Sequence, residues 1–330
     1  MPRIINFAEA FAEGVYLSFK NDPSVLLIWG SFFGLSRHRH LANRFRDDFP
    51  SRIAFAPTSE LGNCGVAIGA AIAGARTIVP VGAASFIFRA WDQIQHEAAV
   101  AHYMSNGMVK APVVFHMLHG IRGGGGPQHS QSPQAMLWNC PGLELVMPST
   151  PADVKGLFRA AVQSNSPTAF LVHPRLLDIE GEVPEDDYAI PLGKADVKRE
   201  GKDVTLVTVS FQVHEALAAA DSLAQEGISA EVLDLRTLSP LDKGALLRSA
   251  RKTGRVVAID DCPPHCSTAS EIAAIVSAEC FKELRAPVER VNRADSPIPF
   301  SPLLEEFVSP TIDKIIAAAR QAVASSHSRV

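Results

Sequence analysis

Short aliphatic runs alternate with longer stretches of helical spacing along almost the whole chain, and this alternation limits the fold more than any other feature. The first half reads as a helix over 7–19, a buried strand over 24–29 stopped by Gly30, and a short strand at 53–56 feeding a helix from 58–60. Strands at 77–81, 113–116, 143–147 and 168–172 follow, with helices at 88–101 and 151–162 between them. Ser149 or Thr150 caps the 151–162 helix and Pro151 opens it. The second half repeats the scheme, with strands at 204–209, 230–235, 255–259 and 288–291. Its helices fall at 213–225, 241–252, 269–281 and from about 310. Such alternation predicts an α/β fold, each domain a mostly parallel sheet flanked by helices. Residues 31–50 read as polar and irregular. Residues 174–191, rich in Glu, Asp, Pro and Gly, read as a crossing between a domain at 1–187 and a smaller one at 188–330.

Composition adds exclusions. A chain of 330 residues, 47% hydrophobic and 20% charged, buries a sizeable core and suits about two domains. Its net charge of -4, and the lack of a basic run interleaved with aromatics, give no footprint for nucleic acid. The densest basic patch, Arg37-His38-Arg39-His40, reads as a solvated loop. The cysteines, Cys64, Cys140, Cys262, Cys266 and Cys280, are odd in number and scattered, as suits reduced thiols in a cytoplasm. No signal-like start and no membrane-length apolar run stands out.

Chemistry concentrates in two stretches. In the first, Thr58-Ser59-Glu60 opens a helix whose Gly65, Gly69 and Ala73 recur on one face, with Ala70 and Gly74 beside them. Glycine costs a helix roughly 1 kcal/mol relative to alanine, so a repeated set implies close approach of another backbone, across a subunit interface or inside the chain. Glu60 offers a carboxylate there, although an acid at a helix start also answers the helix dipole alone. Phe86 and Phe88 precede the next helix and read by themselves as core. In the second stretch, Gly123-Gly124-Gly125-Gly126 admits backbone angles other residues resist, and His129 follows in a polar setting that also suits a surface loop. No Gly-Lys-Ser/Thr follows, so this is not a phosphate loop of the usual kind. Cys262-Pro263-Pro264-His265-Cys266 lacks a fourth metal ligand and reads as a loop.

Taken together, the motifs resemble a known family. They are Thr58-Ser59-Glu60, Phe86-x-Phe88-x-Ala90-x-Asp92-Gln93, His129-Ser130-Gln131-Ser132-Pro133, Cys140-Pro141-Gly142-Leu143, Pro148-Ser149-Thr150-Pro151 with Lys155-Gly156-Leu157, and the run from Asp234 to Asp242. In this order, from about Ile53 onward, they resemble the beta subunit of thiamine-diphosphate-dependent 2-oxoacid dehydrogenases, a group with pyruvate, branched-chain and acetoin members. The resemblance implies a transketolase-like pyrimidine-binding domain and a transketolase C-terminal-type domain. It implies that Glu60 hydrogen-bonds the cofactor's pyrimidine nitrogen, that Phe86 stacks on the ring, that Arg89 lies close to the cofactor or the partner chain, and that His129 orients the substrate carboxylate or assists acyl transfer. It also implies a structural potassium ion at the backbone of Val113, Ala161 and Val162, although Ser164 stands where relatives often offer an acid.

No Gly-Asp-Gly occurs in the chain, so the Mg²⁺ and diphosphate half of the family's site is expected on an alpha subunit, in a heterotetramer of two alpha and two beta chains. A lipoyl acyltransferase is the further partner implied. Three departures stand out. Gly30-Ser31-Phe32 replaces Gly-Glu-Asp, Arg89 replaces a Gln or Pro, and residues 260–267 replace a glycine-rich turn. The leading expectation is 2-oxoacid decarboxylation with acyl transfer to a lipoyl carrier. The alternatives are a split transketolase or acyloin-type carboligase, and a non-catalytic scaffold for the alpha subunit.

Overall fold

The computed structural model describes residues 3–28 and 39–325. The contacts divide the chain into two units, one of residues 1–119 and 128–192, the other of 120–127 and 193–330.

In the first unit, parallel strands lie in the order Glu144–Val146, Thr168–Val172, Val113–Leu118, Arg76–Ala83, Val25–Ile28 and Ile53–Ala54. Val113–Leu118 is buried throughout, as expected of a central parallel strand. The helix Phe7–Asn21 begins with a capping box, in which Asn6 accepts from the Glu9 amide and the Glu9 carboxylate accepts from the Asn6 amide. It packs on the helix Pro151–Gln163 so closely that a Cβ on Gly14 would lie 3.1 Å from the Lys155 carbonyl oxygen. Phe11 stacks on His116 and meets Phe158 edge-on, with ring centroids 4.8 and 4.9 Å away. Arg3–Asn6, ahead of this helix, pairs antiparallel with Glu180–Val183.

That pairing corrects the expected crossing at 174–191, because the segment is built into the first unit. Lys155, its side chain fully buried, donates from Nζ to the Pro184 carbonyl at 2.6 Å. Tyr188 donates to the Ala152 carbonyl, and the Ile190 amide to that of Gly156. Arg159 forks onto Asp187 at 2.7 and 2.8 Å and also donates to Ser18. The guanidinium holds the Asp187 carboxyl below its ordinary range. Asp187→Ala strands a buried guanidinium, so the unfolding free energy should fall by about 2–3 kcal/mol, discounted from the fully buried case because Asp187 is partly open to water. Urea unfolding measures this, and Asp187→Asn should recover part of the loss.

Two further expectations are corrected. Within 31–50, Arg39–Asp48 is helical, its charged residues having masked the periodicity, while Gly30-Ser31-Phe32 and Arg37-His38 lie outside the described residues. The single helix expected over 88–101 is instead a 3-10 turn at Ala84–Ala90, a π segment at Gln93–Ala98 and a short α-helix at Ala99–Met104.

The second unit holds a sheet in the order Glu289–Asn292, Val256–Asp260, Val204–Thr208, Ala230–Asp234 and Asp196–Arg199. The first four strands are parallel, and the unexpected Asp196–Arg199 closes one edge antiparallel. Helices Gln212–Gln225 and Ile312–Ala324 bury Val213, Ala216, Leu223, Ile315 and Ala319 in one core with Leu206, Val232 and Val257. A short helix, Pro302–Val308, precedes the last one.

Candidate active site

Glu60 is the first residue of the helix Glu60–Ile72, and Ser59 caps it by accepting from the Gly62 amide at 3.2 Å. Asn63 donates to the Pro57 carbonyl, which fixes the turn into the helix. Thr77 donates to the Ala67 carbonyl and fastens the helix to the neighbouring strand. Glu60 itself is 6% exposed, and among the described residues no donor reaches its carboxylate within hydrogen-bond distance. Its charged neighbour among the described residues is Arg89, whose Nη1 lies 3.8 Å from Oε2, so the carboxylate keeps capacity for a further donor. One turn along, burial first and the Glu60 charge second push the Cys64 thiol up to about 12, which leaves it protonated and unreactive.

The small-residue face of this helix has little over it within the chain. A Cβ on Gly65 would meet only the Gln93 side chain, and one on Gly69 would meet nothing within 4 Å. Leu61, Val66 and Ile72 are exposed.

Phe86 and Arg89 both lie on the 3-10 turn Ala84–Ala90, which continues from the strand Arg76–Ala83. Three residues apart on this turn, their side chains leave one face, as they would also on an α-helix. Arg89 reaches toward Glu60, its Nη1 3.8 Å from Oε2. Phe86 meets the His129 ring edge-on, with centroids 5.2 Å apart. Ser85 donates to the Gln128 carbonyl and ties the turn to the segment that carries His129. Glu60, Phe86, Arg89 and His129 are thereby linked through one turn of backbone, with Glu60 buried and Arg89 and His129 open to solvent.

The glycine loop before His129 belongs to the second unit as far as Pro127. There the Gly124 amide donates to both oxygens of Glu305, at 2.9 and 3.0 Å, and Glu305 is 3% exposed. Gly126 adopts a φ of +61°, and a Cβ on it would come 2.2 Å from the Phe300 ring. Sequence reading missed Glu305 and Phe300, since neither forms a motif with the loop they hold.

His119 and His173 stand edge-on in the interior with ring centroids 5.2 Å apart. Burial pushes His119 and His116 down to about 3. It lowers His173 well below the ordinary imidazole range, aided by the nearby His119 and Arg175 charges. All three are neutral at pH 7, unlike a group suited to exchanging protons there.

Val113 opens its strand, and Ala161 and Val162 lie in the last turn of Pro151–Gln163. A cation already serves this helix end. Arg76 donates from Nη1 to the carbonyls of Val162 at 3.0 Å and Ser164 at 2.6 Å, and from Nη2 to Asn165. Of the three carbonyls expected at a potassium ion, that of Val162 thus already accepts from a guanidinium. Among the described residues no cluster of three or more His, Cys, Asp or Glu could hold a metal ion, and no helix is long and apolar enough to cross a membrane. The five cysteines are unpaired thiols, all buried except Cys266.

Comparison with known proteins gives a consistent pattern. The family described as transketolase, pyrimidine binding domain, matches residues 4–179, and that described as transketolase, C-terminal domain, matches residues 193–315. The beta subunit of acetoin:2,6-dichlorophenolindophenol oxidoreductase from Bacillus subtilis is 40% identical, over 96% of this chain and 96% of its own length. The 2-oxoisovalerate dehydrogenase subunit beta of the same organism is 45% identical over 82% of this chain and 83% of its own. Among solved structures, a chain described as split gene transketolase, inactive beta4 tetramer, superposes with a TM-score of 0.81. It is 25% identical, over 98% of this chain and 99% of that one.

Proposed function

Since this chain belongs to the transketolase-like family that includes the beta subunits of the pyruvate, branched-chain and acetoin dehydrogenases, we propose that it forms half of a thiamine-diphosphate site. In this reading it acts as the beta subunit of a 2-oxoacid dehydrogenase. The observation that carries the proposal is the buried Glu60 carboxylate, which no described residue hydrogen-bonds and which lies in ion-pair range of Arg89, on the same turn as the Phe86 that meets His129.

These residues fit the pyrimidine end of the cofactor. A carboxylate short of a donor suits a protonated ring nitrogen, and the half-buried Phe86 offers an aromatic face. When bound, the cofactor supplies a thiazolium carbon able to add to a ketone and to take up the electron pair released with carbon dioxide. Glu60 would hold a proton at the pyrimidine nitrogen, and its burial would strengthen that bond. His129, exposed on the segment tied to Ser85, would meet a substrate carboxylate or acyl oxygen. Mg²⁺ and the diphosphate fall to an alpha subunit, because this chain has no Gly-Asp-Gly. We propose a pair of alpha and a pair of beta chains, a lipoyl carrier as acceptor and a cytoplasmic location.

A second reading, a split transketolase or acyloin-type carboligase, draws support from the similarity to the split-gene transketolase chain. Purifying the tagged chain with its native partner tests both readings. The partner should carry Gly-Asp-Gly with a downstream Asn, and the pair should release carbon dioxide from a 2-oxoacid and reduce a lipoyl acceptor. Carbon–carbon ligation without lipoyl reduction would move the assignment to the second reading, and tight binding of the Mg²⁺ cofactor by the lone chain would defeat the split site.

A further inference from the structure

Arg89 lies on the turn Ala84–Ala90 with Phe86, and holding or protonating a pyrimidine does not call for it. Its side chain is 70% exposed, while the Glu60 it faces is 7% exposed. The 3.8 Å between Nη1 and Oε2 is longer than a hydrogen bond, and among the described residues nothing accepts from the guanidinium. Apart from this ion pair with Glu60, the donors of the fork are open to a ligand, on the same face as Phe86. A guanidinium with open donors recognises planar or tetrahedral oxyanions, often by two parallel hydrogen bonds.

We propose that Arg89 is a specificity residue that docks an anionic group, carboxylate or phosphate, carried by the substrate in addition to the keto group that reacts. This rests on the thiamine-diphosphate reading above and narrows it. The preferred substrates are 2-oxo compounds with a second negative charge, and plain aliphatic 2-oxoacids are poor ones. His129 remains available for the group next to the reacting carbon. Glu60 limits the site to one added anion, since its own charge repels a second one placed deeper.

The test uses the chain paired with its co-purified partner. The dicarboxylic probe 2-oxoglutarate and the phosphorylated probe fructose 6-phosphate are compared with uncharged-tail 2-oxobutyrate, in the wild type and in Arg89→Gln. The variant should lose about 30-fold or more in kcat/KM for whichever charged probe the wild type prefers, through KM rather than kcat. The loss for 2-oxobutyrate should be clearly smaller than for the preferred charged probe, and Arg89→Lys should restore part of the loss. The preferred probe identifies the source of the anion. A readout independent of turnover is phenylglyoxal labelling of Arg89 followed by peptide mass mapping, in which the preferred probe should protect the residue and 2-oxobutyrate should not. Equal losses on charged and uncharged probes, no protection by either charged probe, or failure of Arg89→Gln to assemble with the partner would each overturn the proposal. If Glu60→Gln retains full turnover while Arg89 is still protected, the catalytic reading fails and the anion site stands.

Discussion

Glu60→Gln in the reconstituted pair is expected to lower kcat by about a thousandfold with assembly unchanged. The size follows from the ordinary contribution of a positioned acid–base group. Glutamine keeps the volume and the place at the helix start, so the packing of Asn63 and the Ser59 cap should survive. The carboxyl's ability to share a proton with a ring nitrogen is lost. The helix also loses a charge at its N-terminus, at a cost of roughly 0.3–1 kcal/mol, too little to unfold a domain. Turnover with a 2-oxoacid measures the first effect and size-exclusion of the pair measures the second. Undiminished kcat would remove Glu60 from the catalytic machinery.

Acid should destabilise the chain well before most carboxylates titrate. His116, His119 and His173 are buried and neutral in the fold, the first two with pKa values depressed to about 3. Their folded values lie below the unfolded value near 6.5, so the unfolded chain binds more protons as pH falls. The stabilisation is complete above about pH 6.5 and is lost progressively on the way down to pH 3. At pH 5 the loss is about 2 kcal/mol for each histidine that stays neutral in the fold, and with three the cumulative effect should rival the stability of a typical domain. Urea midpoints between pH 7 and pH 5 should fall steeply, and His116→Phe should flatten the slope by removing one titrating ring. Midpoints that do not move across that range would mean the rings take up protons inside the folded protein.

The alternating architecture was legible because buried parallel strands are continuous apolar runs, and Val113–Leu118 and Thr168–Val172 read that way without context. Glu60, Phe86, Arg89 and His129 were legible as a set only through the order of motifs, since each alone has an ordinary structural explanation. The 3-10 winding of Ala84–Ala90 was hidden, and the tie from Ser85 to Gln128 that accompanies it carries no local sequence signal. The edge pairings of Arg3–Asn6 and Asp196–Arg199 escaped for a similar reason. Both are short and only half-buried, and Asp196–Arg199 is rich in charge, so their pairing is decided by a partner distant in the chain.

The pairing of Arg3–Asn6 with Glu180–Val183 sets a schedule for biosynthesis. A ribosome adds roughly 5–20 residues per second, so the opening strand waits on the order of ten seconds or more for its partner to be made. Over the same interval Phe11 lacks His116, then Phe158 and Phe170, and a greasy helix stands uncovered on a nascent chain. The first unit thus completes its packing only after Val183 has emerged.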